Sequence, residues 1–103
     1  MRSVFQKEKI CHVCGTTRNI HEHHIFFGTA NRKLSEKRGL KVYLCYYHHN
    51  GSRHGVHFNK ELDKQLKQMG QKYYEEHYGT RNDFIKEFGK NHFDDFDDLE
   101  VLD

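Results

Sequence analysis

The stretch Cys-Tyr-Tyr-His-His at residues 45–49 and the earlier Cys-His-Val-Cys at residues 11–14 decide how this chain folds. A Cys-x-x-Cys turn points two sulfur atoms at one metal ion, and the same spacing from Cys45 to His48 adds a third sulfur and an imidazole nitrogen. Three thiolates and one imidazole form a tetrahedral donor set that suits structural Zn²⁺. The alternative is that Cys45 is only a buried apolar residue and His48 a surface residue. We predict the zinc ligands to be Cys11, Cys14, Cys45 and His48.

The composition favours such a metal. The chain has 103 residues, of which 35% are hydrophobic, and its mean hydropathy is −1.01. A single domain this small and polar buries little apolar surface, and domains of this kind often use a structural metal. The three cysteines are an odd number, which argues against a closed disulfide framework and favours a reducing compartment. With no long apolar run and no signal-peptide pattern, we expect a cytoplasmic protein without a membrane segment.

The charge is unevenly distributed along the chain. Residues 94–103 contain six acidic residues and no Lys or Arg, so residues 1–93 hold 17 basic and nine acidic residues, a balance of +8. A basic body favours a polyanionic partner such as nucleic acid, although a solvated lysine face has the same composition. We therefore treat residues 1–93 as one domain. We expect residues 94–103 to be an acidic tail that is disordered, docks on the basic body or serves as an interaction segment.

The first half of the chain reads as short strands around a polar insertion. Residues 18–27 are predicted to form a strand or hairpin, and residues 29–38 a polar helical segment closed by Gly39. Residues 40–44 alternate β-branched and aromatic side chains, which predicts a short strand leading to Cys45.

Two helices are predicted in the second half. Apolar residues recur at steps of three and four from Phe58 to His77, with Asn59 as a plausible N-cap. Thr80 and Asp83 form a capping-box pattern for a second helix that ends at Gly89.

Several histidines lie outside the zinc set. His23 and His24 are adjacent, so on a strand their side chains point to opposite faces. His49 follows a predicted zinc ligand, and His54 and His57 precede the first of the two long helices. Imidazoles of this kind can bind a second metal or take up a proton near neutral pH. The remaining four are interpreted as surface or hydrogen-bonded residues: His12, His21, His77 and His92.

These motifs together resemble a known family. The Cys-x-x-Cys turn, Glu-His-His-Ile at residues 22–25 and Leu-Cys-x-x-His-His at residues 44–49 resemble the HNH, or His-Me finger, pattern. More narrowly, residues 55–63 resemble small HNH-like proteins of bacteriophages and prophages. The resemblance covers residues 10–75. It implies a small α+β fold, in which a zinc-knuckle-stabilised ββα-metal core is followed by two C-terminal helices.

The resemblance also implies a function. In the family, such a core is a divalent-metal-dependent DNA endonuclease or nickase, here acting inside a bacterial host cell. By position, His24 would be the general base that activates water against a phosphodiester. The second ion, Mg²⁺, Mn²⁺ or Ni²⁺, would be bound by His23, His49 and His57.

One departure supports an alternative function. The family's middle Asn usually lies a few residues before the knuckle cysteine, where this chain has residues 39–42, Gly-Leu-Lys-Val. Asn31 and Asn50 lie at other spacings. The alternative is a catalytically silent relative that inhibits a host defence nuclease, as anti-CRISPR proteins inhibit a CRISPR effector. The histidines favour the nuclease, whereas the missing Asn, the short chain and the acidic tail favour the inhibitor.

Overall fold

A computed structural model describes residues 1–93 as a small α+β structure, a two-stranded antiparallel sheet with four helices. The acidic tail predicted for residues 94–103 lies outside the described residues. Across residues 1–93, no helix is both long enough and apolar enough to cross a bilayer. In chain order the elements are β1 (Ile20–His24), α1 (Thr29–Arg38), β2 (Lys41–Cys45), α2 (Tyr46–Asn50), α3 (Lys60–His77) and α4 (Arg81–Phe88).

The sheet brings the predicted site residues together. In the antiparallel pair, Ile20 lies opposite Cys45 and His24 lies opposite Lys41. The polar insertion predicted between the strands is α1, and its C-cap Gly39 has φ 71°, a left-handed conformation that glycine adopts without strain. At one end of the strand pair, Cys45 lies beside the first cysteine turn. His24 lies at the other end.

Strand β2 is buried along its whole length. The segment before β1 covers part of it: the backbone N–H of Tyr43 donates to Gln6 Oε1 at 2.8 Å, and the N–H of His12 donates to the Tyr43 carbonyl at 2.8 Å. The core beneath contains aromatic rings from three parts of the chain, with ring centroids 5.2 Å apart for Phe26 and Phe84. Hydrogen bonds to the N-terminal segment and packing against the aromatic core both hold the sheet in place. The site residues on the sheet are therefore held in place as well.

The helix ends agree with the sequence. Asn59 caps α3 by accepting from the Leu62 N–H at 3.1 Å, and both hydrogen bonds of the Thr80–Asp83 capping box are present. One expectation was wrong. Phe58 was counted as the first residue of the apolar face of α3, but it precedes the cap and its side chain is 62% exposed. The helical period therefore begins only at Leu62.

Gly70 marks the closest approach of α3 to the core. A Cβ at this position would lie 2.8 Å from Phe26 Cε2, and that ring is held among other buried rings. We expect Gly70→Ala to destabilise the protein by about 1–2 kcal/mol, because overpacking outweighs the gain of about 1 kcal/mol in helix propensity. Chemical denaturation measures this, with Glu76→Ala on the exposed side of α3 as the control. A more stable Gly70→Ala variant would show that the helix can move away from the sheet.

Candidate functional site

The first candidate metal centre is a Cys₃His cluster. Cys11, Cys14, Cys45 and His48 each offer one ligand atom, and these four atoms lie within 4.8 Å of one another. The Sγ atoms of Cys14 and Cys45 are 3.9 Å apart, close to the ~3.8 Å edge of a tetrahedron with ~2.3 Å Zn–S bonds. The His48 Nδ1 lies 3.3 Å from Cys45 Sγ and 3.7 Å from Cys11 Sγ. This spacing is compatible with a structural metal such as zinc, as the sequence predicts.

Local backbone structure explains why these donors converge. The Gly15 N–H donates to the Cys11 carbonyl at 2.8 Å, which closes the first turn. Cys45 is the N-cap of α2, so His48 lies one helical turn later on the same side. Burial acts to raise the pKa of the Cys11 thiol, but hydrogen bonds from nearby backbone amides, including that of Cys14, bring it down to about 6. A thiol with a lowered pKa is readily deprotonated, which metal binding requires.

The second candidate centre is a group of three histidines. His23, His49 and His57 each offer a ring nitrogen, and these nitrogens lie within 4.8 Å of one another. The Nε2 atoms of His49 and His57 are 3.3 Å apart. His23 Nε2 is buried and has no hydrogen-bond partner within residues 1–93. A buried polar atom without a partner costs free energy, so a ligand beside it would be favourable.

The electrostatics keep two of these rings neutral. Burial, followed by the neighbouring His49 and His57, lowers the pKa of His23 to about 3. Burial, followed by His57 and His21, lowers the pKa of His49 to about 4. Neutral imidazoles retain the lone pair that a metal ion needs. His23 and His49 therefore offer metal ligands rather than positive charge.

The trio opens into a cleft of about 300 Å³ that also contains His24, Phe27 and Arg32. This places the predicted general base beside the predicted second metal ligands. His54, the other histidine near the start of α3, faces away and stacks on Tyr47 with ring centroids 5.1 Å apart. His57 is thus the member of that pair that joins the cleft.

His24 belongs to a charged network on the outer face of the sheet. Its Nε2 lies 2.8 Å from Glu36 Oε1, and Lys41 Nζ bridges Glu22 at 3.0 Å and Glu36 at 2.9 Å. The N-terminal ammonium, followed by His24 and Lys41, lowers the pKa of Glu36 to about 2. Glu22, His24 and Glu36 are also close enough to hold a cation. The Lys41 ammonium already lies between the two carboxylates, so this group does not need a metal ion.

The two asparagines considered for the family's middle position do not contact His24. Asn31 donates to the Phe88 carbonyl at 3.3 Å and joins α1 to α4, and Asn50 Nδ2 lies 3.2 Å from His49 Nδ1. The ring partner of His24 is Glu36, a residue that the sequence did not single out.

His21 is hydrogen-bonded, one of the two alternatives that the sequence left open, but its partner is a residue of the site. It was interpreted as a surface or hydrogen-bonded histidine, and its Nδ1 lies 2.8 Å from His49 Nδ1. A hydrogen bond there uses the His49 nitrogen that faces away from His57, as in many metal-binding histidines. The signal was present in the sequence, because His21 and His23 are two apart on one strand and share a face.

Comparison with known protein families, curated proteins and solved structures found no match to this chain. The chemistry of the site is therefore defined by its own residues. Within residues 1–93 these are a Cys₃His cluster, three converging histidines and a histidine–carboxylate pair that borders the same cleft.

Proposed function

We propose that this protein is a divalent-metal-dependent DNA endonuclease or nickase with an HNH-like, ββα-metal core. The observation that carries the proposal is the single cleft that contains both the three converging histidines and His24. Metal-assisted phosphodiester hydrolysis requires at least a metal site and a nearby group, such as a histidine, that can accept a proton.

The chain order supports an HNH-like core. The antiparallel strands β1 and β2, between which α1 is inserted along the chain, are followed by the short helix α2, and the histidine pair ends β1. The Cys₃His cluster lies at the other end of the same hairpin and joins its second strand to the first cysteine turn. A structural zinc there would hold the hairpin in place while the histidine cleft remains open to a substrate.

Each residue has a definite task in this proposal. His23, His49 and His57 would hold the second ion, which when bound would supply positive charge to the reacting phosphodiester. His24 takes a proton from the attacking water through Nδ1, because its Nε2 is engaged by Glu36. A new P–O bond forms, the bond to the leaving oxygen breaks, and that oxygen receives a proton from solvent.

The direct test is a plasmid-nicking assay. Zinc-replete protein should convert supercoiled plasmid to the nicked or linear form with Mg²⁺, Mn²⁺ or Ni²⁺, and a chelator should stop the reaction. If no ion supports cleavage and the protein instead inhibits a CRISPR effector nuclease, the catalytically silent binding protein becomes the better assignment. The departure that favours that alternative is the missing family Asn, because residues 39–42 are Gly-Leu-Lys-Val and the ring partner of His24 is Glu36 instead.

Glu36 is expected to position His24. Glu36→Ala removes the acceptor for the His24 Nε2–H, so kcat should fall by about 10–100-fold, the usual effect of losing an orienting partner, while KM changes little. Glu36→Gln keeps an oxygen acceptor and should lose less. Steady-state nicking kinetics measure both parameters, and the ¹⁵N NMR shifts of the His24 ring report which nitrogen carries the proton.

The control for this prediction is Glu76→Ala, which removes an exposed acid from α3 outside the cleft. Equal rates for Glu36→Ala and Glu76→Ala would show that the His24–Glu36 contact only stabilises the fold. A change of the His24 ring tautomer without a change in kcat would show that His24 is not the general base.

A further inference from the structure

Three surface clefts meet around the charged network of His24. The histidine cleft shares Glu22 with a cleft of about 950 Å³ beside the N-terminal segment. It shares His24 with a cleft of about 520 Å³ along α1. Glu36 lines the second and third of these clefts. Each pair of clefts therefore shares a lining residue, with Glu22, His24 and Glu36 at the shared borders; the three together are here called the basic groove, and the N-terminal cleft and the cleft along α1 are its two ends.

Positive charge lies at both ends of the basic groove. Arg2, Lys7 and Lys9 line the N-terminal cleft, and Arg32 and Lys33 line the cleft along α1. All five side chains are exposed, and none of them has an ion-pair partner within residues 1–93. Their charges are therefore available to an external anion.

The acidic residues at the shared borders do not cancel this charge. Lys41 Nζ lies 3.0 Å from Glu22 and 2.9 Å from Glu36, and its side chain is only 5% exposed. Together with the N-terminal ammonium, which lies 2.6 Å from Glu36 Oε2, it sets two positive charges against the two carboxylates. His24 Nε2, 2.8 Å from Glu36, engages one of the same oxygens. The floor of the groove is thus largely neutralised, while its two ends remain positive.

We propose that the basic groove binds the phosphate backbone of DNA and leads one phosphodiester to His24 and the histidine trio. This inference rests on the proposed nuclease function and assigns its binding surface. A small anion would contact the cations of one cleft only. A chain of phosphates is the anion that can contact both ends at once, and the cleft of the reacting histidines borders both of them.

The test removes two charges at a time. Lys7→Gln/Lys9→Gln alters one end of the groove and Arg32→Gln/Lys33→Gln alters the other. The control, Lys72→Gln/Lys86→Gln, removes the same charge from exposed positions of α3 and α4 outside the three clefts. Fluorescence anisotropy with a labelled DNA duplex of about 30 base pairs (a length of about three helical turns) measures Kd across a salt series. Zinc-replete protein is used without added divalent ion, so that no cleavage intervenes.

Each groove variant should bind DNA more weakly by about one to two orders of magnitude near 0.1 M salt. The slope of log Kd against log salt should fall by about 1.8, which corresponds to two lost phosphate contacts. The control variant should keep the wild-type slope. Circular dichroism and zinc content should be the same for all three variants, so that a folding defect is recognised.

The outcomes separate the groove from the nuclease assignment. An equal loss of affinity in the control variant, or no DNA binding by the wild type at low salt, would contradict the proposal that the basic groove binds DNA. Groove variants that nick plasmid at the wild-type rate with wild-type affinity would overturn it as well, while leaving the nuclease intact. If the groove variants lose DNA binding but no divalent ion supports cleavage by the wild type, the groove is confirmed as a DNA-binding surface and the nuclease assignment is wrong.

Discussion

Removing the structural metal is expected to unfold most of this protein. The domain is small and only 35% hydrophobic, and domains of this size are stable by about 5–15 kcal/mol in total. A structural Zn²⁺ site contributes about 10–16 kcal/mol of apparent binding free energy at pH 7. Its loss therefore matches or exceeds the whole stability. Elemental analysis should find tightly held zinc in protein purified without added metal, and chelator should abolish the cooperative thermal transition.

The structure explains why the effect should be global. Cys11 and Cys14 lie in the first turn, whereas Cys45 and His48 lie where β2 passes into α2, so a bound metal would join two segments that are 31 residues apart from Cys14 to Cys45. Cys14→Ser should reproduce the chelator result by removing one ligand. His54→Ala is the matched control, because His54 stacks on Tyr47 outside the cluster and should keep both zinc and Tm. Protein that contains no zinc, or melts unchanged in chelator, would refute the Cys₃His assignment.

The zinc content also depends on the histidine trio, which could retain a second ion during purification. His57→Ala removes one trio ligand and leaves the Cys₃His cluster intact. A wild type with two zinc ions should therefore fall to one in this variant, with little change in Tm. A simultaneous loss of both ions would mean that the two groups are one coupled site.

The elements that the sequence predicted well are those set by local chemistry. Asn59 and the Thr80–Asp83 pair cap their helices because side-chain oxygens satisfy the first free N–H groups, an effect that needs only neighbouring residues. The Cys45–His48 spacing is also local, since both lie within one turn of chain. For these features, residue type and spacing alone were sufficient.

The features that were missed depend on contacts between distant segments. The contact of Glu36 with His24 arises only when α1 folds back over the end of β1, and no local pattern marks that approach. The burial of Lys41 has the same origin, because its partners lie on another strand and another helix. Phe58 shows the opposite error. Its helical spacing was correct, but the cap that follows it leaves the side chain in solvent.

The second large effect is expected at His24. His24→Ala should lower plasmid nicking by about 10²–10⁴-fold, the usual contribution of a general base, because the other imidazoles that line the cleft are the proposed metal ligands. Zinc content and Tm should be little affected, since His24 is not part of the Cys₃His cluster. Single-turnover nicking at saturating metal separates the chemical step from DNA binding. The matched control is His77→Ala, which removes an imidazole from the end of α3.

His49→Ala distinguishes the two roles within the cleft. It removes a ligand of the proposed second ion, so activity should fall by a similar factor and recover partly as the divalent-ion concentration rises. The His24→Ala defect should not respond to added metal, because a missing base is not restored by a bound ion. If extra metal rescues both variants equally, His24 is a metal ligand rather than a base. If both variants cut like the wild type, the reacting phosphate lies elsewhere, and His23 Nε2, which is buried without a hydrogen-bond partner within residues 1–93, needs another ligand to explain its burial.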